Sequence, residues 1–283
     1  MVESFFRKYE LPVFIGFSGK AGSGKATAAK HLYEFLTQHA PNITWYSVSF
    51  DDSLRAVCGT LCRHSSRCAV ETSSSSKYFE ENDAQFDVST LDLSLLNRIF
   101  AKYAHIPELI GYLAQLAPTI SAATRGHFMQ LIKTATQQFL DQYVWIKCAH
   151  VFVSFKVREN QGRCGFIFSD VLQRSEIEYI SNCGFPFWDA DLFAPKSEID
   201  AAERGLRAVD DFNSAGGYLI KIQRGVVSSQ DDAWLERNSD ASILWNNIIA
   251  NDGKIADLYA AIDHCAINII EREKLDEFRA FTQ

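Results

Sequence analysis

Apolar and polar residues follow two different rhythms along this chain, and each change of rhythm marks an element. Val13-Phe14-Ile15-Gly16-Phe17-Ser18 is a continuous apolar run, which predicts a buried strand. Over residues 27–39, the spacing of Ala28, Leu32, Phe35 and Leu36 collects apolar side chains on one helical face. After the Pro41-Asn42 turn, the β-formers Trp45, Tyr46, Val48 and Phe50 predict a second strand over 43–50. Asp51-Asp52-Ser53 then suits a helix start. Residues 63–92 break the pattern with a serine run and scattered acids, the character of a flap or surface loop.

Two or three helices are expected across 93–159, marked by Leu109, Leu113 and Leu116, by Phe128, Leu131, Ile132, Ala135 and Phe139, and by Trp145, Ala149, Phe152 and Lys156. Cys164-Gly165-Phe166-Ile167-Phe168-Ser169-Asp170 predicts a short strand that ends in an aspartate. A helix over 176–183 follows. Residues 185–216 are irregular apart from a helical stretch at 198–212. Further strands at 217–222 and 243–249, the turn Asn251-Asp252-Gly253 and a helix over 254–264 complete the chain. Strands alternating with helices imply a parallel sheet with crossover helices, whose ligands bind at the carboxyl ends of the strands. There is no internal repeat.

The first strand and first helix are separated by Gly19-Lys20-Ala21-Gly22-Ser23-Gly24-Lys25-Ala26-Thr27. Gly19, Gly24 and Lys25 meet the spacing G-x-x-x-x-G-K of a phosphate-binding loop. In such a loop backbone amides converge on phosphate oxygens, the helix N-terminus adds positive potential, and the lysine neutralises the outer phosphates. The position after the lysine carries Ala26 instead of Ser or Thr, with Thr27 one residue later. A Gly/Ser turn with an incidental lysine explains neither the strand before the loop nor the helix after it. Gly19–Lys25, Asp51-Asp52 and Asp170 each follow a predicted strand, so they are expected to converge on one cleft.

Composition narrows the classes. The 283 residues carry a net charge of −7, which argues against a broad nucleic-acid footprint. No apolar run approaches the roughly 20 residues of a membrane span. The N-terminus lacks a signal-peptide pattern, and the seven cysteines, an odd number, suggest reduced thiols in a cytoplasmic compartment. Cys58, Cys62, His64 and Cys68 fall close together and are weighed for zinc. They lack a Cys-x-x-Cys pair, which favours buried or loop thiols.

In order along the chain, these segments resemble the phage-type deoxynucleoside monophosphate kinases, a branch of the P-loop nucleotide kinases. Gly19–Thr27 resembles that family's GKxxSGKDT, and Ser49-Phe50-Asp51-Asp52-Ser53-Leu54-Arg55 its SFADPLK. Residues 125–134 followed by Trp145 are similar to its "R..LLQ..GT" helix, and Ser169–Glu176 to its SDVRFPNE. Residues 248–258 are similar to its last strand and "NdG..eL" turn. Residues 169–178 also resemble a segment of the animal-type phosphomevalonate kinases, through Arg174-Ser175-Glu176-Ile177-Glu178.

The resemblance implies a three-layer α/β/α P-loop kinase fold with a central, mostly parallel sheet and a helical acceptor-binding or lid region. It implies one domain over 1–283, with insertions near 63–92 and 185–216. The implied reaction is ATP-dependent, Mg²⁺-dependent phosphoryl transfer to a (deoxy)nucleoside monophosphate. Gly19, Lys20, Ala21, Gly22, Ser23, Gly24, Lys25, Ala26 and Thr27 are then the ATP-binding residues. Lys25, Asp52, Asp170 and Arg174 are the catalytic candidates, and Thr27 and Asp170 the metal ligands. Phe50, Arg55, Arg125, Gln130 and Trp145 are the substrate-binding candidates. Plainer roles stand beside these: a helix cap for Asp52, a surface ion pair for Arg55, solvated arginines at 125 and 174, and a core position for Trp145. Lys196, Arg204 and Arg207 are candidate lid cations. Partners are expected to be small-molecule nucleotides, without nucleic acid or membrane, and a homodimer is left open.

Departures from the family pattern qualify the acceptor. The GKDT aspartate is Ala26, the DVRF arginine is Leu172, the glycine of the LLQ helix is Lys133, and a later arginine is Gln138. They leave open a kinase of another small phosphorylated metabolite, or a nucleotide-binding protein with weakened catalysis.

Overall fold

The computed structural model of the protein describes residues 12–20, 22–63, 93–120, 125–160, 163–184, 217–224 and 245–273. Of the proposed insertions, 63–92 lies outside them apart from Arg63 and 185–216 lies outside them throughout, as do Ala21, Lys196, Arg204 and Arg207, the helical stretch at 198–212, His64 and Cys68. The chain divides into two compact units, Met1–Ser49 with His150–Gln283, and Phe50–Ala149.

The first unit is an α/β sheet domain. Its strands are β1 (Val13–Ser18), β2 (Thr44–Val48), β3 (Cys164–Val171), β4 (Tyr218–Gln223) and β5 (Asn247–Ala250). They form one five-stranded sheet in the order β2-β3-β1-β4-β5. Every pairing is parallel, with Ile15 opposite Ile167 on one side and Tyr218 on the other. The central strand β1 is buried along its whole length, which explains its unbroken apolar run.

Side-chain alternation in β1 builds two cores. Val13, Ile15 and Phe17 face α1 (Lys25–His39) and α8 (Ile255–Arg272), packing with Leu32, Leu36, Leu258 and Ile262. Phe14 points the other way, with its ring 5.9 Å from Phe168 and 5.7 Å from Tyr179 of α7 (Arg174–Ser181). Helices therefore cover both faces, giving the three-layer α/β/α arrangement. The stabilisation is of the usual size, about 1.5–3 kcal/mol for each large apolar side chain withdrawn from water.

The second unit is helical: α2 (Asp52–Arg63), α3 (Ser94–Ile99), α4 (Ile106–Ile120) and α5 (Arg125–Phe139), with the first residues of α6 (Val144–Glu159). Its core joins Leu54, Cys58 and Leu61 to Leu96, Leu109, Leu113, Phe128, Ile132 and Trp145. The sequence periodicity marks α4, α5 and α6. The short α3 escapes it, because six residues give less than two turns of pattern.

Element ends differ from the expected ones for identifiable reasons. The strand expected at 43–50 stops at Val48, and β5 begins only at Asn247. There Asn246 takes the strand partner's place, its Oδ1 accepting from Leu219 N at 2.6 Å. The last helix runs on to Arg272, carried by Cys265, Ala266 and Ile269 on its buried face. Among the described residues no helix is long and apolar enough to cross a membrane.

Candidate functional site

The loop between β1 and α1 depends on glycine. Gly19, Gly22 and Gly24 have φ of 145°, 71° and 97°, a region that a Cβ disfavours. A Cβ on Gly19 would lie 2.2 Å from the Ile222 carbonyl oxygen, and one on Gly24 would lie 2.5 Å from Asn251 Nδ2. Gly22 has open space around it, so only its backbone angle requires glycine. Ser23 N donates to Lys20 O at 3.1 Å, and Ala28 N donates to Gly24 O at 2.9 Å where α1 begins. No side chain caps α1, and its first turn holds no acid. Its opening amides thus keep the positive potential that attracts anions. At α7, by contrast, Glu176 accepts from Leu172 N and Gln173 N at 2.7 and 2.8 Å.

Lys25 starts α1 with its side chain half-buried, and Nζ donates to Lys20 O at 2.8 Å across the loop. Burial pushes its ammonium below the ordinary lysine range, while the Asp170 carboxylate pulls it back towards the charged form. Asp170, near the end of β3, accepts from Ser49 Oγ at 2.5 Å. Since β2 and β3 are parallel neighbours, their carboxyl ends bring Ser49 and Asp170 together. The structure therefore joins Lys25 electrostatically to the aspartate that the strand pattern singled out, across a separation of more than a hundred residues. Ser18 and Ser23 add buried hydroxyls that find no hydrogen-bond partner among the described residues. Such hydroxyls normally cost about 1–3 kcal/mol each, and a bound oxyanion can satisfy them.

The residues fit Mg²⁺ only in part. Asp170 offers carboxylate oxygens and Thr27 is exposed on α1, but Ala26 has no oxygen at the position directly after the lysine. Among the described residues no three His, Cys, Asp or Glu side chains group to hold a metal by themselves. A magnesium ion held by these side chains would need further oxygen ligands, which water commonly supplies to this ion.

The acceptor candidates belong mostly to the helical unit. Phe50 is fully buried, and Trp145 belongs to the core of that unit. Trp145 is 2% exposed, donates from Nε1 to Thr136 Oγ1 at 3.0 Å and meets Phe100 edge-on. Asp52 opens α2 and pairs with Arg55 at 2.9 Å, the local ion pair that spacing of three residues permits. Gln130 is exposed, and the Arg125 side chain lies outside the described residues. Arg174, assigned to catalysis on sequence grounds, stands at the exposed start of α7 and pairs with Glu178 at 2.9 Å.

Three residues were not among the site candidates drawn from the sequence. Lys133 is buried and donates to Asp51 Oδ1 at 2.7 Å. The available signal was a lysine placed on a helix between the buried Ile132 and Thr136. Asn251 donates from Nδ2 to Ser23 O at 2.8 Å, and Arg224 reaches Gly22 O at 3.3 Å. Both stand just beyond the carboxyl ends of strands, where the parallel topology could have drawn attention to them.

The cysteine cluster is only partly described. Cys58 is buried in the α2 core, and the side chain of Cys62 is outside the described residues along with His64 and Cys68.

Compared with known proteins, the chain matches no family model and no curated protein sequence.

Proposed function

We propose that the Gly19–Lys25 loop binds the phosphates of ATP and that the protein transfers the γ-phosphate to a phosphate on a small acceptor. A (deoxy)nucleoside monophosphate is the leading acceptor. The observation that carries this reading is the loop itself: three glycines at positive φ, an uncapped helix start, and a half-buried Lys25 coupled to Asp170. Phosphoryl transfer asks mainly for positioning and charge stabilisation, and these groups supply both.

In this scheme the loop amides hold the β- and γ-phosphates, and Lys25 exchanges its bond to Lys20 O for phosphate oxygens. Ser18 and Ser23 are additional donors near the loop. Asp170, oriented by Ser49, would hold a magnesium ion. Magnesium neutralises phosphate charge and orients the transferring group when bound.

A second reading, nucleotide binding without efficient transfer, is favoured by Ala26, which brings no hydroxyl or carboxylate, and by the surface ion pair of Arg174. Coupled ADP release with ATP, Mg²⁺ and a panel of deoxynucleoside monophosphates and other phosphorylated metabolites separates the two. Acceptor-dependent ADP release is the expected result. Nucleotide binding without turnover on any acceptor leaves only the second reading, and absence of nucleotide binding defeats both.

A further inference from the structure

We infer that Asn251 is a positioning residue for the phosphate loop, an inference that rests on the loop's proposed role in binding nucleotide. Residue 251 follows β5 directly and lies far from the loop in sequence. Its side-chain amide nonetheless donates to Ser23 O at 2.8 Å. The same nitrogen stands where a Cβ on Gly24 would come within 2.5 Å, so the carboxamide lies close against the loop backbone. Its backbone amide donates to Gln223 O at 2.6 Å, which ties residue 251 to the end of β4. Arg224, the next residue after β4, donates to the adjacent loop carbonyl, Gly22 O, at 3.3 Å.

The consequence follows from peptide geometry. In a peptide unit the C=O and the following N–H point in opposite directions. Holding the Ser23 carbonyl towards Asn251 therefore turns the Gly24 N–H away from it, and the Arg224 contact holds the Gly22 carbonyl opposite the Ser23 N–H, which donates to Lys20 O. Positive φ at Gly22 and Gly24 gives the chain the freedom to adopt this arrangement, but that freedom also permits others. Side chains fixed to the sheet remove the alternatives before ligand arrives, and preorganised donors bind an anion without a further ordering cost. Asn suits the task because its amide donates to a carbonyl while carrying no charge. An aspartate of the same shape would face the Ser23 carbonyl with an acceptor.

The test uses the full-length chain and a fluorescent N-methylanthraniloyl ADP probe with Mg²⁺, together with amide hydrogen exchange of the ligand-free protein. In Asn251→Ala the loop amides at 22–25 should exchange about five- to tenfold faster, as loss of one hydrogen bond allows, with β1 unchanged. Probe affinity should fall by a similar factor. Asn251→Asp should loosen the loop at least as much as Asn251→Ala; a purely space-filling role predicts the reverse order. If Asn251→Ala also loosens β1, Arg224→Gln supplies the gentler variant, with faster exchange expected at the same amides. Unchanged loop exchange in folded Asn251→Ala overturns the inference while leaving the nucleotide reading intact. Failure of the wild-type chain to bind the probe overturns the nucleotide reading and the purpose assigned to the brace.

Discussion

Lys133 Nζ donates to Asp51 Oδ1 at 2.7 Å, although the two residues are separated by 82 positions and the lysine side chain is only 7% exposed. The charge that α5 buries is thus met by one placed just before α2.

Breaking this pair should cost far more than removing it. Asp51→Ala leaves a buried ammonium without its carboxylate and should destabilise the protein by about 3 kcal/mol. Lys133→Met combined with Asp51→Leu should recover most of that loss. Urea denaturation of both single variants and the double variant provides the cycle, and additive losses would contradict the coupling.

The loop glycines should differ in their tolerance. Gly22→Ala meets open space and pays for positive φ alone, roughly 1–2 kcal/mol. Gly19→Ala also drives a methyl towards the Ile222 carbonyl oxygen and should cost more than that. Thermal melts compare the two directly; equal losses would show that the close approach at Gly19 is relieved by a backbone shift.

If the loop binds nucleotide as proposed, Lys25 should make that affinity fall at alkaline pH. Burial lowers its pKa below 10.5 in the folded chain, so between the two values the unfolded chain binds more protons. Stability of the ligand-free protein should therefore rise with pH through that window. Phosphate favours the charged amine, so affinity should fall over the same range as the folded protein's lysine loses its proton. Lys25→Ala should weaken ADP binding at neutral pH by at least tenfold and abolish this alkaline dependence. Titrations with the fluorescent probe across the range measure both effects.

Ala26→Ser restores a hydroxyl at the position directly after the loop lysine. Its expected effect is several-fold tighter binding of ATP in magnesium, with little change when magnesium is chelated. Equal gains under both conditions would place the hydroxyl on phosphate and leave the metal to Asp170 and water.

Much of this architecture was readable from local pattern. The apolar run at Val13–Ser18, the glycines of the loop and the periodicity of α1, α4 and α5 rest on backbone preference and burial, which act over a few residues. Asp170 was legible for the same reason, as a polar residue near the end of a hydrophobic strand, although β3 runs on to the buried Val171. The pattern also left Asp52 between an acceptor site and a helix cap, and Arg55 between an acceptor site and a surface ion pair; the structure pairs the two with each other at the start of α2.

The sequence by itself thus determined the parallel α/β class, the glycine-rich loop and the strand that carries Asp170. Tertiary structure alone decided which distant side chains meet: Ser49 with Asp170, Lys133 with Asp51, and Asn251 with the carbonyl of Ser23. It also turned Trp145 inwards onto Thr136 and left Arg174 at the surface. The division has a physical cause. Periodicity and turn chemistry record interactions between near neighbours, whereas strand order and helix packing bring together residues whose separation in sequence carries no trace of their contact.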